Sequence, residues 1–144
     1  MALKNTNELM KLLSSTKNVT ELKQYTDFLS GSELPITFPE YLNTQMASHH
    51  LTASELIREA HLQRNYGYQI LDGKRNPSRD KVIALCLALH LNITDTQRAL
   101  NISQNGQLYS KSRRDSILIF AIEKKLSVMD ANELLFEMNE PILT

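Results

Sequence analysis

The sequence predicts an all-α fold. Apolar residues recur with helical spacing along most of the chain, and no stretch shows the apolar–polar alternation of a half-buried strand. Only the short apolar run ILIF (117–120) fits a helix and a strand equally well. Start signals for helices are also frequent. A hydroxyl residue stands three positions before a Glu, Gln or Asp, as in a capping box, at Thr37, Thr52, Thr94, Ser112 and Ser127.

These signals predict nine short helices in order along the chain. Their ranges are 5–14, 18–30, 39–50, 53–60, 63–72, 78–91, 94–101, 113–126 and 128–139. The stretch SGSELPITFP (30–39) holds two prolines and a glycine and is therefore the predicted linker. The predicted domains are an N-terminal helical pair plus linker, a central helical domain and a C-terminal helical hairpin. They cover residues 1–36, 37–104 and 105–144.

The centre of the core is predicted at VIALCLALHL (82–91), where nine of ten residues are apolar. Two amphipathic stripes need this core as a partner. The first is Ala53, Leu56, Ile57 and Ala60, and the second is Ala131, Leu134, Leu135 and Met138. The second stripe leaves two alternatives open, because the C-terminal hairpin could seal the core or form a dimer surface.

Composition excludes several classes of protein. Sixteen basic residues balance sixteen acidic ones, so any binding to nucleic acid must come from the placement of charge and not from its total. The single cysteine, Cys86, excludes an intrachain disulfide and is predicted to be a buried hydrophobe. No window approaches the roughly 20 apolar residues of a membrane span, and no signal peptide is recognisable. We therefore expect a cytoplasmic protein with no membrane partner.

Catalysis is not expected. The four histidines, at positions 49, 50, 61 and 90, do not stand at metal-ligand spacing with a carboxylate or with the cysteine. A glycine-rich phosphate loop and a nucleophile elbow are also missing from the sequence. We therefore expect no enzyme activity, no metal and no other cofactor.

Cations gather where one helix ends and the next begins, in YQILDGKRNPSRDKV (68–82). Gly73 is placed to close the first helix in a left-handed conformation, Pro77 prevents its continuation and Ser78 can cap the next helix. A turn built in this way needs no cations. Four are nevertheless present, at Lys74, Arg75, Arg79 and Lys81.

The two helices before this joint must cross steeply, because only HL (61–62) separates them, and this is the geometry of a helix-turn-helix. Leu62, Tyr66 and Ile70 would then face inward. The opposite face carries donors and acceptors that can address base edges in a major groove, or it is a solvated polar face. Its residues are Arg64, Asn65, Tyr68 and Gln69. The sugar-phosphate backbone would pass just beyond the end of this helix. The residues there are Lys74, Arg75 and Arg79.

Residues 39–104, and above all the motifs GKRNPS and VIALCLALHL, resemble without gaps the five-helix DNA-binding domain of the phage lambda and Cro repressors, the Xre-type helix-turn-helix family. The resemblance implies that residues 63–72 form the recognition helix. It implies base reading by Gln63, Arg64, Asn65, Tyr68 and Gln69. It implies phosphate contacts by Lys74, Arg75 and Arg79.

Two positions depart from the family pattern. His61 stands where the family usually has glycine in the tight turn, and Gly67 stands where it usually has Ile or Val. Tyr66 and Tyr68 are the predicted neighbours that fill the space at Gly67.

A second cation cluster, SKSRRDS (110–116), begins a later helix. Helix N-termini prefer anions, so Arg113 and Arg114 are candidates for a second anion site. The same run resembles a basophilic kinase site. Taken together with the resemblance, these features predict a homodimeric transcriptional regulator that binds double-stranded DNA in a sequence-specific manner. The alternative is a protein-interaction adaptor that keeps the fold without reading bases.

Overall fold

The computed structural model describes residues 6–15, 17–23 and 36–144, and within these ranges the chain forms α-helices and no strands. Residues 19–23 are helical, and eight further helices are complete. They are α1 (Thr6–Ser14), α2 (Phe38–Ser48), α3 (Ala53–Glu59), α4 (Arg64–Leu71), α5 (Arg79–Ala88), α6 (Ile93–Ile102), α7 (Arg113–Glu123) and α8 (Val128–Glu137). The all-α prediction is confirmed for these residues, and the ambiguous run ILIF lies inside α7.

The chain divides into two compact units, Met1–Pro35 and Ile36–Thr144. In the first unit, the Asn18 side chain accepts a hydrogen bond from the Glu21 amide and so caps the helical residues 19–23. The rest of the helix predicted over 18–30, and most of the linker predicted over 30–39, lie outside the described residues.

Helix α5 forms the centre of the second unit, as its sequence predicts. Every residue from Val82 to Leu89 is buried, and α3, α6, α7 and α8 pack around the helix. Cys86 is among these residues, and burial raises the pKa of its thiol to about 12, so the thiol stays protonated. The Tyr41 hydroxyl donates to the Asp95 carbonyl at 2.8 Å and ties α2 to α6.

The C-terminal hairpin of α7 and α8 belongs to the same core. Leu118, Ala121, Ala131 and Leu135 are all fully buried against the rest of the unit. The opposite face of the hairpin remains uncovered in residues 36–144. Its exposed apolar side chains are Phe120, Met129 and Phe136. One face therefore seals the core, while the other carries these exposed apolar side chains.

Most helix starts follow the predicted caps. Thr52 and Glu55 form a complete capping box, in which the Glu55 amide donates to Thr52 Oγ1 at 3.1 Å. Thr37, Ser112 and Ser127 also accept the expected amide hydrogen bonds. The capping box predicted at Thr94 is wrong, because α6 begins earlier. Asn92 caps this helix by accepting the Asp95 amide at 2.8 Å.

Helices α2 to α8 end in a common motif, in which a left-handed residue follows the helix and two amides bond back to its last carbonyls. At the end of α3, the His61 amide donates to the Arg58 carbonyl and the Leu62 amide donates to the Ile57 carbonyl. The left-handed residues are His50, His61, Gly73, His90, Gln104, Lys125 and Asn139. His61, with φ near 58°, thus adopts the conformation that glycine usually supplies.

Helices α3 and α4 approach each other closely at Gly67. A Cβ added to Gly67 would lie 2.6 Å from Cγ1 of Ile57 and 2.9 Å from its Cδ1 and Cγ2. The space is therefore filled by Ile57, and the prediction that Tyr66 and Tyr68 fill it is wrong. Glycine inside a helix costs about 1 kcal/mol relative to alanine, but at this position the contact with Ile57 requires it.

Gly67→Ala should consequently destabilise the protein by about 1–3 kcal/mol, although alanine is the better helix former, because the added methyl overlaps a buried β-branched side chain. Urea unfolding would measure the loss. The double variant Ile57→Ala/Gly67→Ala should lose less than the sum of the two single losses, because Ile57→Ala makes room for the added methyl and that methyl partly fills the cavity left by Ile57. A neutral or stabilising effect of Gly67→Ala would contradict the close approach of the two helices.

Candidate nucleic-acid interface

Helix α4 presents the predicted polar face to solvent. Ile70 and Gly67 are buried against α2 and α3, and this leaves Arg64 and Asn65 exposed. Tyr68 and Gln69, further along the same face, are half-buried. The face is open within residues 36–144, where the C-terminal hairpin packs against α5 and α6 instead.

The end of the described chain lies beside the turn that joins α3 and α4. Leu143 and Thr144 line a cavity of about 40 Å³ together with His61, Leu62 and Asp80. They therefore contact the supporting side of the turn, while Gln63, Arg64 and Asn65 remain exposed.

Gln63 has a structural role in addition to its predicted one. Its Oε1 accepts a hydrogen bond from the Tyr66 amide at 3.0 Å and caps α4. The cap uses the acceptor of this side chain, so the exposed amide nitrogen is the group that can still donate to a ligand.

Arg64 lies over the ring of Tyr68, one helical turn further on, with 5.8 Å between Cζ and the ring centroid. Both residues border a depression of about 250 Å³ between α3 and α4, whose apolar wall is formed by Ile57 and Leu62. Arg58, on the outer surface of α3, lines the same depression and was not predicted as a site residue.

Lys74 and Arg75 are exposed immediately after α4. The Arg75 Nε atom donates to Gln69 Oε1 at 3.1 Å, which holds the guanidinium against the predicted reading face. Lys81 is half-buried, with Nζ 6.0 Å from the ring centroid of Tyr66. The sequence singled out Lys81 as part of the cation cluster but did not assign it to the site.

Arg79, in contrast, is not available to a phosphate, which corrects its predicted role. Its guanidinium donates to both carboxylate oxygens of Asp115, at 3.0 and 2.7 Å, and to the carbonyls of Gly106 and Gln107. Four of its five N–H groups are thus used within the chain. Arg79 joins the start of α5 to the start of α7 and to the loop before it.

The predicted second anion site is also occupied from within the chain. Arg114 donates to both oxygens of Asp80 at 3.0 Å and to the carbonyls of Pro141 and Ile142. Arg113 is more exposed and donates to the Met138 carbonyl and to Glu140. The anions that these two arginines bind are therefore carboxylates of the protein itself.

The two strongest pairs form a crossed brace, which we define as Arg79–Asp115 and Arg114–Asp80. Each of the two helices supplies one arginine and one aspartate from its first turn, so the N-termini of α5 and α7 are held together by reciprocal bidentate pairs. The brace also fixes the C-terminal residues, because the Thr144 amide donates to Asp80 at 3.2 Å.

The surroundings of both aspartates favour the charged form. Partial burial alone would raise the pKa of Asp115, but hydrogen bonds from Arg79 and from the Tyr109 amide outweigh it and lower the pKa below the ordinary value. At Asp80, burial is likewise outweighed by hydrogen bonds from Arg114 and the Thr144 amide, which lower the pKa. Both aspartates therefore stabilise the folded state while they are ionised.

Once these internal pairs are set aside, the surface between residues 58 and 81 has an excess of positive charge. Five cations in this range lie outside the brace, whereas the only acidic residues of the range outside it are Glu59 and Asp72. The cations are Arg58, Arg64, Lys74, Arg75 and Lys81. Arg58 contacts its neighbour Glu59 only loosely, at 3.7 Å between exposed side chains. A chain of zero net charge thus has a local cationic surface around α4.

The part of the chain that the structure describes contains no group of three or more His, Cys, Asp or Glu side chains placed to hold a metal ion. None of the described helices has the length and hydrophobicity to cross a bilayer. Comparison of the chain with models of protein families, with curated proteins and with solved structures finds no match. The resemblance to the lambda and Cro repressors therefore remains a proposal, argued from the residues and contacts above.

Asp115→Asn should lower the free energy of unfolding at pH 7 by about 1.5–3 kcal/mol, because it removes the charge from a buried bidentate pair. In the wild type, the contribution of the brace is complete above the pKa of an unfolded aspartate, about 3.9, and is lost as the pH falls below it toward the depressed folded pKa. The difference between wild type and variant should therefore shrink between about pH 5 and pH 2 in urea titrations.

Glu140→Gln is the matched control, because the Arg113–Glu140 pair is more exposed on its arginine side and should contribute at most about 1 kcal/mol. An equal effect of the two substitutions at pH 7 would contradict the special role of the brace.

Proposed function

We propose that the protein is a cytoplasmic transcriptional regulator that binds double-stranded DNA in a sequence-specific manner, with α4 in the major groove. The observation that carries the proposal is the position of the five cations outside the brace, which are Arg58, Arg64, Lys74, Arg75 and Lys81. They surround a helix whose outer face has donors and acceptors and is open to solvent, in a chain with no net charge to explain such a cluster.

The arrangement of α2 to α6 supports a lambda-repressor-like domain as the framework. Two short helices, α3 and α4, are linked by residues 60–63 and packed closely at Ile57 and Gly67. A helix-turn-helix of this kind places its second helix in the groove and rests on the remaining helices. In this proposal, α5 is the buried support, and α2 and α6 complete the five-helix domain.

Each side chain of the surface has a proposed part in binding. Arg64, Asn65 and Tyr68 lie on the outer face of α4, where they can meet base edges. Arg58, Lys74 and Lys81 flank this face, and they are proposed to contact phosphates on either side of the groove. Arg79 and Arg114 are excluded from both groups, because four of the five N–H groups of each are used within the chain. Arg113 is left out because its Nη1 atom is held by the Met138 carbonyl and by Glu140, at the start of α7.

Selection of bound sequences from random duplexes, followed by a salt titration, tests the proposal. We expect an enriched motif and an affinity that falls with salt. About three phosphate contacts per protomer give a log–log slope near −5 for a dimer. Lys74→Ala should weaken binding to all duplexes alike and flatten the slope, whereas Asn65→Ala should relax the preference at one base pair.

Lys125→Asn is the charge-matched control, because asparagine tolerates the left-handed conformation that Lys125 adopts. Lys125 donates to the His90 carbonyl at the far end of α5, away from the proposed interface, so the loss of this charge should leave binding almost unchanged. If the wild type enriches no motif at low salt, the protein does not read DNA, and the adaptor that keeps the fold without base readout becomes the better explanation.

We further propose that the protein acts as a homodimer through the uncovered face of the C-terminal hairpin. One recognition helix reads only a few base pairs, whereas a twofold dimer presents two helices about 34 Å apart to a palindromic site. Phe136, 77 % exposed, and Met129, 58 % exposed, form an apolar strip on α8. Asp130, Glu133 and Glu137 lie beside the strip, whereas Lys124 lies over the ring of Phe120 on α7, 5.8 Å from its centroid, so the face carries charges of both signs.

Sedimentation equilibrium of Phe136→Glu tests the dimer. The substitution should produce a monomer with stability within about 0.5 kcal/mol of the wild type, because Phe136 is mostly exposed. Its neighbour Leu135 is fully buried, so Leu135→Ala should instead cost about 2–5 kcal/mol of stability. A monomeric wild type, or a Phe136→Glu variant that dimerises as well as the wild type, would contradict this assignment.

A further inference from the structure

Arg75 is hydrogen-bonded to Gln69 through both its main chain and its side chain. The Gln69 carbonyl accepts hydrogen bonds from the amides of Lys74 and Arg75, at 2.9 and 3.3 Å, and so fixes the main chain after α4. The Gln69 side chain accepts a third hydrogen bond, from the Arg75 Nε atom at 3.1 Å. Arg75 is nevertheless exposed, and its guanidinium lies beside the outer face of α4.

This contact determines which part of the guanidinium can bind a ligand. The Nε–H group is occupied by Gln69, so the donors of Nη1 and Nη2 remain, and they lie in one plane along one edge. No described residue accepts a hydrogen bond from that edge. An edge with two parallel donors matches two acceptors that are also in one plane.

In the major groove, guanine presents such a pair of acceptors at O6 and N7. The same two donors can also bind a phosphate. The position of Arg75 favours the base edge, because the hydrogen bond to Gln69 holds the guanidinium beside the outer face of α4, the face proposed to enter the groove. Lys74, the neighbouring exposed cation, has no such restraint and suits a phosphate contact better.

We propose that Arg75 is a base-reading residue that recognises a guanine in the major groove, and that Gln69 is the positioning residue that holds it there. The proposal rests on the proposed DNA binding and assigns its specificity at one base pair. It moves Arg75 from phosphate contact to base reading. Because Gln69 holds the guanidinium before DNA arrives, less side-chain freedom is lost on binding.

The test is selection from random duplexes with the wild type and variants, followed by titration of duplexes that differ at one position. The wild-type motif should contain a guanine that Arg75→Ala no longer prefers, while the other positions of the motif are unchanged. Binding of Arg75→Ala to the guanine duplex should fall roughly 5- to 150-fold, with little change for duplexes that carry another base there. Lys74→Ala should lower all affinities by the same factor.

Gln69→Ala provides the readout for positioning. It should relax the preference at the same guanine, and the double variant Gln69→Ala/Arg75→Ala should lose no more preference there than Arg75→Ala alone. Gln69→Glu keeps the acceptor for Arg75 Nε, so it should retain the guanine preference even if its charge lowers every affinity. Thermal melting of each variant checks that the fold is intact.

The outcomes separate this inference from the proposed function. A wild-type motif with an Arg75→Ala variant that weakens all duplexes equally would overturn the guanine assignment and leave DNA reading in place. Loss of preference at different base pairs in Arg75→Ala and Gln69→Ala would overturn the positioning role. Absence of any motif for the wild type would overturn DNA reading and the guanine assignment together.

Discussion

The crossed brace between α5 and α7 is the interaction on which the other features of the second unit depend. Arg79–Asp115 and Arg114–Asp80 join the first turns of two helices that lie more than thirty residues apart in sequence. The brace connects the buried helix, the C-terminal hairpin and the last described residues in one network. It also neutralises two arginines whose charge would otherwise add to the surface. Of the ten cations that remain outside it in residues 36–144, five lie around α4.

Much of the fold could be predicted from the sequence, because its signals are local. Helix starts depend on a cap and a residue three positions later, so Thr52 and Ser127 indicated the correct helices. The prediction at Thr94 was wrong because Asn92, two positions earlier, can also cap a helix. Local sequence does not show which of two residues that can both act as an N-cap begins the helix. A further local signal was overlooked. The dipeptide His-Leu ends α2, α3 and α5, where histidine is left-handed and leucine turns back to the core.

The candidate site could be predicted only in part, because its composition depends on contacts between distant residues. Sequence placed Arg79 with Lys74 and Arg75, but Arg79 pairs with Asp115, 36 residues further on. No local pattern distinguishes a cation with such a partner from one without it. Position 67 is a similar case, because it requires glycine only through the contact with Ile57 on another helix. The outer face of α4, in contrast, followed from helical spacing alone, and Arg64 and Asn65 lie on it as predicted.

The most direct test of an open, DNA-reading α4 is an amide NMR titration of the full chain with a duplex that carries the selected motif. We expect the largest shifts at the amides of α4 and of residues 74 and 75, with the brace residues Asp80 and Asp115 nearly unchanged. Small shifts in α4 together with large ones in α7 and α8 would contradict the assigned groove-binding helix, because DNA would then contact the opposite part of the unit.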